Sequence, residues 1–292
     1  MTTETGKEAK MTTTSRPRAD GPLLVRILGN GWLIAAVVVT LVPFLYVLSA
    51  SLMSNDEIFS VPFRLLPSGV YLGNYAHLLQ ETGFVQWFVN SAIIALARTV
   101  LAIALSLAAG YAFAKFEFRF KKLLFALVIG TLTLPIYVIL IPLFNMMSTL
   151  GWTDTYWALV LPFTAQAIGV FLARQYMTTI PTELIEAARI DGASEWAIFR
   201  RVIVPLSQPT IAVMGILFFT ASWNDYLWPL ITVTSSSMFT VSLGLPALIS
   251  PYSQHYGSLM AGSFLGTLPV IVIFLIFQKR FIDGILAGSL KG

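Results

Sequence analysis

The sequence contains no cysteine. Disulfides, thiolate zinc sites, iron–sulfur clusters and cysteine nucleophiles are thereby excluded. Imidazole is almost as scarce: His77 and His255 are the two histidines, which argues against a histidine-built metal centre. Charge is also sparse. Asp, Glu, Lys and Arg make up 11% of the 292 residues, where an ordinary soluble domain has about a quarter. The patterns G-x-x-x-x-G-K-[ST], H-E-x-x-H and G-x-S-x-G do not occur, so a P-loop, a zincin pair and a serine elbow are all missing.

What is present is apolar. Hydrophobic residues reach 57% and the mean hydropathy is +0.79. An excess of this size, spread along the chain, indicates several membrane spans rather than one large soluble core. The net charge of +4 and the pI near 9.3 do not point to nucleic acid. The basic residues lie between apolar runs and form no basic face interleaved with aromatics.

Six apolar segments lie near Trp32–Leu52, Gln86–Phe113, Leu123–Met147, Trp157–Met177, Ile211–Val233 and Ser258–Phe277. Each reaches the roughly 20 helical residues that cross a hydrocarbon core of about 30 Å. Backbone groups cannot stay unpaired in lipid, so these segments are expected to be helices. The expected fold is all-α: one polytopic six-helix unit over residues 27–292, behind a polar, disordered cytoplasmic segment at 1–26. The uncharged run from Ile27 to Asn55 is longer than the roughly 7–15 residues of a signal-peptide core, so an uncleaved first helix is expected.

Orientation follows from the basic residues. Lys7, Lys10, Arg16, Arg18 and Arg26 precede the first span, and Lys115, Arg119, Lys121 and Lys122 follow the second. Arg174, Arg189, Arg200 and Arg201 follow or end the fourth, and Lys279, Arg280 and Lys291 follow the sixth. Sixteen of the eighteen basic residues thus fall on one side; the exceptions are Arg64 and the intramembrane Arg98. The positive-inside rule then places both termini in the cytoplasm. Pro135, Pro142, Pro162 and Pro269 suggest kinked spans.

One cytoplasmic stretch departs from the rest. TELIEAARIDGASEWAIFRRVIVPLSQP, Thr182 to Pro209, carries seven charges, whereas the 77 residues from Val202 to Gln278 carry a single one, Asp225. Thr182 is expected to cap a short helix and Gly192 to stop it in a left-handed conformation. Ser194 is expected to cap a second helix, which Pro205 ends or kinks. Leu184, Ile185, Ala187 and Ala188 are expected on one face of the first helix, small enough at the centre for another surface to approach. An amphipathic loop lying on the headgroups answers the same residues. A DNA-binding helix-turn-helix does not, because both ends are tethered to membrane helices.

Glu186-Ala187-Ala188, three residues, Gly192, nine residues, then Val202-Ile203-Val204-Pro205 resembles the EAA loop of ABC-importer permeases, EAA-x3-G-x9-I-x-L-P. Val202 and Val204 stand where the pattern has Ile and Leu. NSAIIAL at Asn90, AGYAFAKFEF at Ala109, IPLFNMMSTLGWTDTYWALVLP at Ile141, SWNDYLWPL at Ser222 and the tail FQKRFIDGILAGSLKG extend the resemblance from about Asn90 to Gly292. They are similar to the carbohydrate-uptake, maltose-type group and its second, six-span permease. The resemblance implies a type I importer fold whose coupling loop, 178–209, docks on a separate ATPase through Glu186, Ala187, Ala188, Asp191, Gly192, Ala193, Phe199 and Pro205. It implies that Gly288, Ser289 and Lys291 in the cytoplasmic tail, 279–292, make a second ATPase contact. A frayed end is the plainer account of that tail.

The partners so implied are a second permease in a heterodimer, two ATPase subunits, an extracytoplasmic solute-binding protein, lipid and a carbohydrate, in a bacterial or archaeal plasma membrane. The chain itself would be no enzyme and bind no cofactor; ATP and Mg would sit on the ATPase. A secondary carrier or channel for a small polar solute is the competing reading. It calls for paired inverted repeats or chains of intramembrane acids, and neither is visible.

Two charges fall within spans. Arg98 lies 15 residues before Phe113 and Asp225 lies 14 after Ile211, so both sit about 21–22 Å from the inner boundary. Equal depth allows an Arg98–Asp225 pair; separate partners, Asn224 included, are the alternative. If the pair faces the pathway, it offers donors and acceptors to a hydroxyl-rich solute. Trp223, Tyr226 and Trp228 would then stack on a sugar, or simply anchor at the interface.

Overall fold

The computed structural model describes residues 23–250 and 253–289. The chain divides into two compact units, Met1–Tyr46 and Val47–Gly292. The described part of the first unit is helical, beginning at Leu23, and its apolar side chains from Leu28 to Leu45 are exposed. Helix is thus present from Leu23, the first described residue, and the expected segment at 1–26 lies mostly outside the described residues.

In the second unit, two helices are long and apolar enough to cross a membrane unbroken: Phe84–Lys115 and Tyr256–Lys279, the latter continuing to Ser289. Pro269 lies inside that sixth helix without interrupting it. With the first helix, Leu28–Ser51, the described residues hold three such spans, or up to six if each bent pair is one span.

The remaining apolar segments are broken, and proline accounts for most of the breaks. In the third span, Lys121–Thr133 and Ile136–Thr149 meet at 101°, a near right angle rather than the expected kink. Leu134 precedes Pro135 and is pushed out of the helical region to φ −81°, ψ 119°. In the fourth span, Tyr156–Phe163 and Ala167–Thr178 meet at 42° around Pro162.

The fifth segment differs from the expected Ile211–Val233. A helix runs from Gln208 to Trp223 and stops at Asn224, and a second, Leu227–Thr232, follows. Asn and Asp side chains compete with the helical ladder for backbone partners. Here the Asp225 carboxylate accepts from the Trp228 backbone N–H at 3.3 Å. Outside the helices, a two-residue antiparallel ladder pairs Ile249–Ser250 with Ser253–Gln254.

Three apolar clusters fill the second unit. One joins Leu107, Tyr111, Ala173, Met177 and Phe218 of the second, fourth and fifth spans to Ile185, Ile198 and Ile203 of the charged loop. A second gathers Leu78, Trp87, Phe219, Trp223 and Ala261, and a third Ile94, Met147, Leu159, Trp228 and Leu243. The second and fourth spans approach closely at Gly110. A Cβ added there would meet the Ala173 side chain and lie 2.9 Å from the Arg174 backbone nitrogen. Gly110→Val should therefore cost about 1–3 kcal/mol, read as a lower melting temperature in detergent. Gly130→Ala, where a Cβ meets nothing within 4 Å, serves as the control.

Candidate functional site

The charged loop is built as a hinge of two helices. The first spans Thr182–Ile190. Thr182 is its first helical residue and not its cap: the cap position falls on Pro181, which has no side-chain acceptor to give. Gly192 has φ +78°, a conformation that favours glycine. The Gly192 N–H donates to the Arg189 carbonyl and the Ala193 N–H to the Ala188 carbonyl, both at 3.0 Å, so the helix end is closed by its own backbone. Ser194 Oγ accepts from the Ala197 N–H at 3.3 Å and starts the second helix.

That helix widens into a π turn over Phe199–Ile203 and runs through Pro205, where an end or a kink is expected, to Leu206. Pro205 has no N–H to continue a regular ladder, and a wider turn leaves room for its ring. The chain then bends by 76° into Gln208–Trp223.

The expected face of the first helix is split. Ile185 is buried and Ala188 half-buried, whereas Leu184 and Ala187 are exposed with Glu186, Asp191 and Gly192. A helix places residues three apart side by side, so Ile185 and Ala188 turn inward together while Leu184 and Ala187 turn outward together. Ala193 and Phe199 are half-buried and Pro205 is exposed. The outer surface is completed by Ile190, 86% exposed, and Trp196, 67% exposed. These two apolar residues were not singled out from the sequence; the signal was their position beside the elbow. Arg189 Nε donates to Glu195 Oε1 at 2.7 Å across the elbow, and Tyr111 Oη donates to Glu195 Oε2 at 3.2 Å.

A cavity of about 390 Å³ lies between the second to fifth spans. Arg98 is buried in its wall. Arg98 Nη1 donates to Asp225 Oδ2 at 2.8 Å, and Arg98 Nε donates to the Leu159 carbonyl. The guanidinium carbon lies 4.5 Å from the centre of the Phe163 ring. Trp228 Nε1 donates to the Ala158 carbonyl at 2.9 Å. Pro162 explains that last bond: it has no N–H for Ala158, four residues before it. Arg98 Nη2 and Ser222 Oγ, both of lining residues, are buried without a hydrogen-bond partner among the described residues.

The structure thus brings Arg98 and Asp225 together at the cavity but leaves three other candidates off its lining. Trp223 is buried on another face, its Nε1 donating to the Gly266 carbonyl of the sixth helix at 2.9 Å. Asn224 lines a separate cavity of about 290 Å³ with Trp223, and Tyr226 is exposed. Trp228, the remaining aromatic candidate, does line the cavity, and the groups that join it there without having been expected are Tyr137, Phe163, Gln166 and Ser222. Gln166, an amide within an apolar run just after Pro162, was the available sequence signal. In the tail, Gly288 and Ser289 fall within the sixth helix, and Lys291 lies outside the described residues.

Residues 101–285 match the family described as binding-protein-dependent transport system inner membrane component. The chain belongs to that family. It is 37% identical to the arabinooligosaccharides transport system permease protein AraQ of Halalkalibacterium halodurans, over 94% of this chain and 99% of that protein. It is 34% identical to the lactose transport system permease protein LacG of Rhizobium radiobacter, over 88% of this chain and 93% of that protein. In fold it is similar, at TM-score 0.77 and 23% identity, to a chain of a bacterial ABC transporter involved in the import of the acidic polysaccharide alginate. The match covers 88% of this chain and 96% of that one. As an inner membrane component, this chain is a multi-pass membrane protein and a transport permease.

Two outcomes are expected. Asp225→Asn leaves Arg98 buried without its counter-charge. It should destabilise the permease by about 3 kcal/mol, near the low end for buried pairs because the Asp225 side chain keeps 19% exposure. Adding Arg98→Leu should recover part of the loss in melting temperature, and independent, additive losses would count against the pair. The second concerns pH. The Arg189 guanidinium holds the Glu195 carboxyl below the usual glutamate range. A depressed folded pKa adds stability above the unfolded value, about 4.3, and that part is lost as pH falls through the folded one. Glu195→Gln should therefore flatten the acid limb of proteolytic protection at the Gly192 elbow.

Proposed function

We propose that this chain is the transmembrane permease subunit of a binding-protein-dependent ABC importer for a carbohydrate, in a bacterial or archaeal plasma membrane. Its termini and the Thr182–Leu206 hinge face the cytoplasm, the side to which the basic residues are biased. Two separate ATPase subunits, which bind ATP and Mg, dock on Glu186, Ala187, Asp191 and Gly192 with Ile190 and Trp196 around them. The tail residues Gly288, Ser289 and Lys291 make a further contact with that motor. A second permease completes the pathway, and an extracytoplasmic binding protein delivers the solute.

The observation that carries this reading is the two-sided hinge. Ile185, Ile198 and Ile203 are buried against the second, fourth and fifth spans, while Ile190 and Trp196 are left uncovered. A push on the outer face is passed through a close-packed inner one, because packed side chains shift between discrete arrangements rather than yielding. The same spans carry Arg98, Gln166 and Asp225 at the cavity. ATP-driven closure of the motor then tilts them from inward-open to outward-open, and hydrolysis resets them.

Carbohydrate as cargo is supported by the two relatives, named for arabino-oligosaccharide and lactose transport. The cavity chemistry agrees with it. Gln166 and Tyr137 on the lining offer an amide and a hydroxyl, and Phe163 and Trp228 supply rings. Because Arg98 is matched by Asp225, the site as a whole carries no large net charge.

The test is copurification with the motor. Ile190→Asp combined with Trp196→Asp should abolish retention of ATPase subunits and uptake while leaving the melting temperature of the isolated chain unchanged, since both side chains are exposed. Uptake that persists in vesicles without any ATPase would identify a secondary carrier and reject the proposal.

A further inference from the structure

A second concave site lies at the turn between the second and third spans, away from the pathway cavity. Its volume is about 680 Å³, and its lining includes Phe118, Phe120, Lys121, Lys122, Phe125 and Arg174. Three cations therefore converge from two elements, the start of the third span and the end of the fourth. The lining holds one carboxylate, Glu117, and Lys121 Nζ already pairs with it at 2.8 Å. Lys122 and Arg174 make no ion pair within 4.0 Å among the described residues, although Lys122 lies near enough to Glu117 to help Lys121 hold its carboxyl below the usual range. Arg174 is pre-set for a ligand: Phe125 lies under its guanidinium at 4.2 Å, and its Nε donates to the Phe113 carbonyl at 3.4 Å. That leaves the terminal nitrogens of the fork unengaged by these contacts. Just outside the lining, the Arg119 guanidinium lies 4.7 Å from the Phe120 ring.

The surface next to these charges is apolar. Leu123, Leu124 and Leu127 on the first turns of the third span are 57%, 44% and 60% exposed. A basic pocket that opens onto an apolar helix face in the membrane fits an amphiphile, with an anionic head on Lys122 and Arg174 and acyl chains along the leucines. A free phosphate would use only the first half of this surface. From this juxtaposition we propose that the pocket is a binding site for the phosphate headgroup of an anionic phospholipid of the cytoplasmic leaflet. Basic pockets between membrane helices on that side are suited to such headgroups. The lipid would brace the right-angled third span against the fourth, whose inner half packs at Gly110. The proposal rests on the cytoplasmic orientation given above.

Native mass spectrometry of the purified full chain, released from detergent containing phosphatidylglycerol or phosphatidylcholine, tests it. The unmodified chain should retain phosphatidylglycerol preferentially. Lys122→Gln, an exposed residue whose loss does not threaten folding, should weaken that retention about fivefold, and Lys122→Gln with Arg174→Gln about twentyfold. The charge-matched pair Arg200→Gln with Arg201→Gln should leave it unchanged. Equal loss in the two double variants, or no preference between the lipids, would mean bulk attraction only and overturn the site. Displacement by inorganic phosphate alone would assign a free anion instead, and loss of the preference once partner subunits assemble would assign the pocket to a protein contact; both overturn the lipid reading. The chain has no cysteine, so labelling a single Arg119→Cys variant from each side of the membrane checks orientation separately. A wrong orientation is thereby told apart from a pocket that does not bind.

Discussion

A carbonyl freed inside a bilayer finds no water to pair with, and the break at Pro162 frees one that the fold has to satisfy. The indole of Trp228 donates to Ala158, and the guanidinium of Arg98 donates to Leu159 next to it. Those donors come from the segment after the fifth helix and from the middle of the second. The broken fourth span is thus tied on both sides. Arg98 could not lie there alone, because a buried guanidinium needs a counter-charge, and Asp225 supplies it from the break in the fifth segment. Three interruptions or insertions in three spans answer one another, and the pathway cavity is the space they enclose.

The same principle of mutual satisfaction shapes the cytoplasmic hinge, with different chemistry. There the helix end at Gly192 is closed by its own backbone and the next start is capped by Ser194. Arg189 and Glu195 bridge the elbow in solvent, where an ion pair adds little stability but restricts the angle. Rigidity comes instead from Ile185, Ile198 and Ile203, which seat the hinge in the apolar cluster formed by the spans. A lever needs a stiff connection to its load and an uncovered handle, and the division of one short helix into buried and exposed faces provides both.

Much of this was legible beforehand. Residue spacing placed the Gly192 elbow and the Ser194 cap, because left-handed backbone and N-cap chemistry are local demands that few residue types meet. Equal depth of Arg98 and Asp225 followed from the helical rise alone. The expected Thr182 cap did not appear, since one residue of shift separates a capping side chain from a first-turn one. The shared apolar face of Leu184, Ile185, Ala187 and Ala188 also failed: four small or aliphatic residues cannot reveal which pair turns toward a neighbour that is not yet known.

The sequence alone determined a predominantly helical fold with six apolar segments, a one-sided distribution of basic residues and a spaced hinge pattern. Each of these is set by composition or by short-range periodicity. Only the tertiary structure decided that the third span bends by 101°, that the fifth stops at Trp223, and that Tyr137, Phe163 and Gln166 stand beside the buried ion pair where Trp223, Asn224 and Tyr226 do not. The reason is that a break in a helix can be read from its proline or asparagine. Where the freed backbone groups find their partners depends on side chains far along the sequence, such as Arg98 and Leu159, that meet only when the spans are packed.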